Sequence, residues 1–198
     1  DSYYSDLDAD GVKTCDPFIA GRYLCDALGK RTTSALGMSL IYDHRNNSFR
    51  PTAGHSLTFN LDWAGLGGDV KYLKTRVKAD KYFNLGSGWI LSARAEGGYV
   101  HPLNNANGVE GVRLTDRFFL GEPEMRGFDI RGVGPRVIRY GLATTSTPAN
   151  PVINFDRSNS YDDALGGRAY YLGRLELEIP LGNSVREMGI RPSIFVDA

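Results

Sequence analysis

Cysteine is almost missing from this chain: two residues, Cys15 and Cys25, in 198. That is too few for a disulfide scaffold or a cysteine-built zinc centre. No sign of charge dominates either, with 23 basic against 23 acidic side chains. A nucleic-acid groove or a patch for anionic membrane surfaces would need such an excess, and no basic stripe occurs. No run approaches the roughly 18 consecutive apolar residues of a membrane-crossing helix. Strands stay open, because a transmembrane strand hides its apolar residues at every second position. Catalysis lacks a constellation as well. His44, His55 and His101 are scattered over different connections. No nucleophile elbow, metal-ligand pair or phosphate loop accompanies them. The chain opens at Asp1 with neither methionine nor a signal-peptide pattern, which suggests a processed or excised segment.

What is present points to strands. Glycine (24), tyrosine (11) and phenylalanine (9) suit turns and aromatic-bearing ribbons better than helices. From Ser34 onward a period of two sets in, and side chains of one parity share a face. Leu36, Met38, Leu40 and Tyr42 share one, as do Leu57, Phe59, Leu61 and Trp63. Leu91, Ala93 and Ala95 oppose Ser92, Arg94 and Glu96; Leu175 and Leu177 oppose Arg174, Glu176 and Glu178; Ile194 and Val196 oppose Ser193 and Asp197. The runs are about ten residues long, the reach of a tilted strand across a bilayer. Tyr42, Trp63, Tyr82, Phe83, Trp89, Tyr99, Tyr170 and Tyr171 gather toward run ends, as interfacial girdles do. A β-sandwich also alternates, but its outer faces are usually shorter and less charged.

The connections alternate between long and short. "NNSFRPTAG", "GSG" and "GNSVREMG" are tight; 1–33 and 102–167 are long; "GLGGD" is intermediate. A barrel with tight periplasmic turns and extended outer loops has this rhythm. A structureless loop of the second length is uncommon unless it has a function. Its centre, "RFFLGEPEMRGFDIRGVGP", mixes glycines, prolines, arginines and acids. In the first loop, "DLDADG" (Asp6 to Gly11) copies half of a calcium-binding loop, but the twelfth position is Pro17 rather than glutamate. A solvated acidic loop accounts for it more simply. Cys15 and Cys25 read as either a closed ring or two free thiols, and the lack of neighbouring metal ligands favours the ring. Glu176 and Glu178 could form a carboxylate pair for acid–base work, but charge balance with Arg174 and Arg126 explains them without chemistry.

Four stretches in order then resemble one family. "YDHRNNSFRPTAGHSL" is similar to its strand–turn–strand piece, and "DRFFLGEPEMRGF" to its sixth-loop signature. "GGRAYYLGRLELEIPLG" and "GIRPSIFVDA" resemble its next two strands. The chain thus resembles, from about Ser34 to Ala198, the C-terminal surface-antigen barrel of the barrel-assembly and two-partner-secretion superfamily. Its departures are His44, Asn46 and Met125, where threonine, aspartate and valine or isoleucine are common.

The resemblance implies an all-β fold: an antiparallel up-and-down transmembrane β-barrel segment, about six strands of a sixteen-stranded barrel. It divides the chain into an extracellular loop (1–33), four strands (34–101), a long inward-folding sixth loop (102–167) and two strands (168–198). It implies a loop-brace motif of Met125, Arg126, Gly127 and Phe128, with Arg126 against the wall acids Glu176 and Asp197, Gly127 turning the chain and Phe128 wedged on the wall. It implies no enzyme activity, cofactor or metal. The expected setting is the bacterial outer membrane, with the lipid bilayer, unfolded outer-membrane proteins and accessory assembly lipoproteins as partners and no nucleic acid. The function the resemblance implies is part of the machinery that inserts and folds outer-membrane β-barrel proteins, with two alternatives left open: a sibling two-partner-secretion-type translocase with the same loop, and a secreted soluble β-domain binding calcium or carbohydrate. Six strands cannot close, so the isolated fragment is expected to self-associate through its sheet edges.

Overall fold

The computed structural model describes residues 4–7, 13–15, 25, 31–104, 111–141, 143, 145, 152–181 and 189–198. A short hairpin comes first: β1 (Tyr4–Leu7) pairs antiparallel with β2 (Lys13–Cys15). Four long strands follow: β3 (Ala35–Asp43), β4 (Gly54–Ala64), β5 (Tyr72–Gly86) and β6 (Trp89–Pro102). A second small hairpin, β7 (Arg136–Tyr140) with β8 (Ser160–Ala164), interrupts the series. It ends with β9 (Ala169–Glu178) and β10 (Ser193–Asp197). The main sheet runs β10-β9-β6-β5-β4-β3, and every neighbour is antiparallel. The connections β3–β4, β5–β6 and β9–β10 therefore share one end. The β4–β5 connection and the long 103–168 excursion share the other.

Register makes the alternation a property of the whole sheet. Ser56 pairs with Asp80, Asp80 with Arg94, Arg94 with Arg174 and Arg174 with Asp197, so one polar row crosses five strands on one face. The excursion between β6 and β9 covers this face, which is the inner one. The opposite face displays Leu40, Leu57, Val77, Tyr171, Leu175 and Val196, all exposed. No second sheet packs over it among the described residues, as a sandwich would require. An apolar surface this continuous is unlike that of a soluble monomer and suits a lipid neighbour.

The structure corrects three expectations. Residues 1–33 and 102–167 are not loop throughout, since each contains a hairpin. Tyr82 and Tyr170 lie on the inner parity and do not join the outer aromatic girdle; the Tyr170 hydroxyl donates to Glu96 at 2.5 Å. Nor is the inner face charged along its whole height. Near the excursion it turns apolar, where Val100 and Leu172 are buried and Tyr72 and Tyr170 pack on Val112 and Phe118. That cluster is the main core, and it lies between sheet and loop. The half-calcium motif is only partly visible: Asp6 and Leu7 belong to β1, and residues 8–11 lie outside the described residues.

Candidate functional site: the loop clasp on the inner wall

Local chemistry brings an arginine to the wall. The Leu120–Val133 bridge closes the base of a compact turn, inside which the Met125 N–H donates to Gly121 O at 2.8 Å. Gly127, just past the arginine, has φ +84°, a left-handed conformation that costs glycine little. The turn presents Arg126 to β9 and β10. These strands are paired so that Phe195 lies opposite Glu176 and Asp197 opposite Arg174, all on the inner parity.

There Arg126 Nε and Nη2 donate to the two oxygens of Asp197, each at 3.0 Å, and its backbone N–H adds a bond of 3.3 Å. Nη1 reaches Glu176 Oε2 at 3.1 Å. The guanidinium carbon lies 3.3 Å from the centroid of the Phe195 ring, a cation–π stack that suits its flat, weakly hydrated form. Arg174 joins from the wall, donating through Nε to Asp197 Oδ1 at 2.8 Å and through Nη2 to Glu124 O at 2.6 Å. Ser193 Oγ donates to Glu176 Oε1 at 2.6 Å. The Asp197 side chain is only 4% exposed. Two guanidiniums face two carboxylates, so the group is neutral as a whole. That neutrality lets such a carboxylate leave water without an unpaired charge. Asp197 holds the Arg126 guanidinium above its ordinary proton affinity, so the cation persists at every working pH.

Of the residues singled out in the sequence, Arg126, Glu176 and Asp197 meet in one cluster. Met125 and Gly127 flank them. Phe128 does not wedge on the wall; it is 44% exposed, and the wedged aromatic is Phe118. Glu178 faces Arg191 at 3.5 Å, so the two β9 acids answer different cations. Cys15 and Cys25 are joined by a disulfide with a Cα separation of 5.4 Å. Phe195 was not singled out beforehand, although an aromatic on the polar parity between Ser193 and Asp197 was a usable signal. The clasp ties the excursion to two adjacent strands.

Comparison with known proteins bears on the family and the fold. The profile of the Omp85 superfamily domain matches residues 3–198. An outer membrane protein assembly factor BamA from Neorickettsia risticii (strain Illinois) is 31% identical over 170 residues, which cover 85% of this chain and 19% of that protein. A sorting and assembly machinery component 50 homolog from Bos taurus is 33% identical over 155 residues, covering 77% of this chain and 27% of its own length. The crystal structure of BamA from Haemophilus ducreyi lacking POTRA domains 1–3 superposes with a TM-score of 0.62 at 22% identity, over 82% of this chain and 29% of that one. That last likeness is one of fold. The chain spans about a fifth to a quarter of the length of these sequence relatives.

Proposed function

The chain belongs to the Omp85 superfamily, and from that premise we propose that it is a wall segment of a machine that inserts and folds β-barrel proteins in a bacterial outer membrane. Its work is mechanical and uses no catalytic group or cofactor. The outer face meets lipid. The inner face holds the sixth loop, and the Arg126 clasp braces β9 and β10 against it. Further strands complete the barrel beyond the open edges of β3 and β10, and a weakly closed seam there, with a locally thinned bilayer, receives unfolded outer-membrane proteins. Accessory lipoproteins assist from the turn end. Nucleic acid has no part in it.

The observation that supports this reading most directly is the neutral four-charge clasp behind an exposed apolar outer face. A soluble secreted domain has no use for that outer face. The bacterial assembly factor matches more of the chain than the mitochondrial component does, 85% against 77%, at similar identity, and that wider match supports the bacterial reading.

Reconstitution tests it. The full-length protein bearing this segment is placed in vesicles and mixed with a urea-unfolded β-barrel substrate, and the compact, heat-modifiable band is followed on a gel. Faster appearance of that band than in empty vesicles is expected. Equal rates, or export of the substrate across the bilayer without insertion, would overturn the proposal.

A further inference from the structure

Phe118 precedes the clasp and occupies a seat of its own. It is 6% exposed and lies in the cluster with Val100 and Val112. Its ring meets Tyr170 at a centroid separation of 4.7 Å and a tilt of 55°, and Lys74 Nζ sits 4.5 Å from its centroid. Gly98, on the inner parity of β6, makes the recess. A Cβ there would lie 2.6 Å from Tyr170 Cε1 and 2.7 Å from Phe118 Cζ, closer than real Cβ atoms approach. The backbone secures the same point: Phe118 N–H donates to Gly167 O at 2.9 Å, and Gly167 N–H returns to Phe118 O at 2.8 Å. Next to it the buried Arg117 donates to Val112 O at 3.2 Å and Leu165 O at 3.5 Å, gathering both arms of the excursion.

Charge alone cannot choose where Arg126 lands. The inner face also carries Asp62, Asp80, Glu96 and Glu178; the last three already meet Arg94, Tyr170 and Arg191, but Asp197 and Glu176 likewise meet Arg174 and Ser193, so charge and pairing do not single out the clasp acids. Shape does choose, because the packed rings accept one aromatic at one place. The segment between Phe118 and Arg126 is stiffened by the Leu120–Val133 bridge and by Arg131 stacking on Phe119 at 4.6 Å. A fixed Phe118 therefore sets the reach of Arg126.

We propose that Phe118, seated in the Gly98 recess, is the register-setting residue of the loop, and that the arginine clasp locks a loop already indexed by this apolar seat. The proposal concerns loop placement, so it survives or fails independently of the insertion activity proposed above.

The test removes the clasp and asks whether the seat still places the loop. In the full-length protein in outer membranes, Arg126→Cys and Asp197→Cys are combined and treated with a short bis-methanethiosulfonate cross-linker; Cys15 and Cys25, being bridged, do not react. With Phe118 intact, the cross-link forms in high yield. Phe118→Ala is expected to lower its rate about tenfold, equal to ~1.4 kcal/mol of placement. Gly98→Ala does the same, and adding Phe118→Leu with Tyr170→Leu to Gly98→Ala restores cross-linking, because the two smaller side chains make room for a methyl that would otherwise meet both rings. A rescue of that kind separates seating from a general loss of strand stability. Undiminished cross-linking in Phe118→Ala, with the barrel still heat-modifiable, overturns the proposal. Should Phe118→Ala not fold, failure of Phe118→Leu with Tyr170→Leu to rescue Gly98→Ala overturns it equally.

Discussion

Arg126 and Asp197, separated by 71 residues in the chain, are joined by two guanidinium N–H bonds of 3.0 Å and one backbone N–H bond of 3.3 Å. This bidentate grip, with Phe195 stacked behind it, turns a long excursion into a fixed part of the wall. It predicts that Arg126→Ala lowers the temperature at which the folded band is lost on a gel, by an amount equal to about 2–3 kcal/mol. Arg126→Lys, which keeps the charge but loses the fork and the stack, falls between the two. Equal thermal resistance in Arg126→Ala and the parent would show that the clasp holds nothing.

The two wall acids are unequal. Asp197 accepts from both Arg126 and Arg174, whereas Glu176 accepts from Arg126 and Ser193. Asp197→Asn is therefore expected to destabilise the folded barrel by about 1 kcal/mol more than Glu176→Gln, since it weakens more charge-assisted bonds. The same gel assay ranks them, and the reverse order would contradict the geometry.

A pH dependence follows from Asp116, in the short turn Leu114–Asp116 of the loop. Its Oδ2 is buried without a hydrogen-bond partner, and burial raises its pKa despite the nearby cations Arg113 and Lys74. The raised value means the folded loop prefers the protonated acid. Its contribution is fully present below the unfolded pKa and is lost as pH rises through the folded one. Asp116→Asn, neutral throughout, should resist protease in the loop better than the parent at neutral pH and lose that advantage in acid below the ordinary carboxylate range. A constant difference across that window would assign the effect to another cause.

Sidedness is checked by two arginine substitutions at different parities. Val77 lies mid-strand on the exposed outer face of β5, while Thr58 is on the inner face of β4. Val77→Arg is expected to cost about 2–4 kcal/mol of folded stability in lipid vesicles, and Thr58→Arg much less. Equilibrium urea unfolding in vesicles reads both.

The 198-residue chain on its own is expected to associate. Every residue of β3 is exposed, and β3 and β10 are the free edges of the sheet. Such edges pair with copies of themselves when nothing covers them. Light scattering in detergent should give dimers or larger species at micromolar concentration; a stable monomer would count against two reactive edges.

Much of this was readable before any coordinates. The alternation assigned Arg174, Glu176 and Asp197 to one face, because strand geometry fixes parity as soon as a strand exists. The loop signature marked Arg126. Phe128 misled, since its place beside the arginine said nothing about where the turn would point its ring. Phe118 is not legible from its own segment, because its importance depends on Gly98, which lies on β6 and lacks any side chain to advertise itself. Nearness to run ends suggests a girdle for Tyr82 and Tyr170, whereas their parity points inward.

By itself the chain's order of residues decided which side chains face together, where it must turn, and that one face would be greasy and the other ionic, since each of these depends on neighbours a few bonds away. Only the assembled sheet decided which carboxylates the arginine meets and which aromatic is buried. Those outcomes depend on register between strands far apart in the chain and on the shape of a recess that no single segment contains.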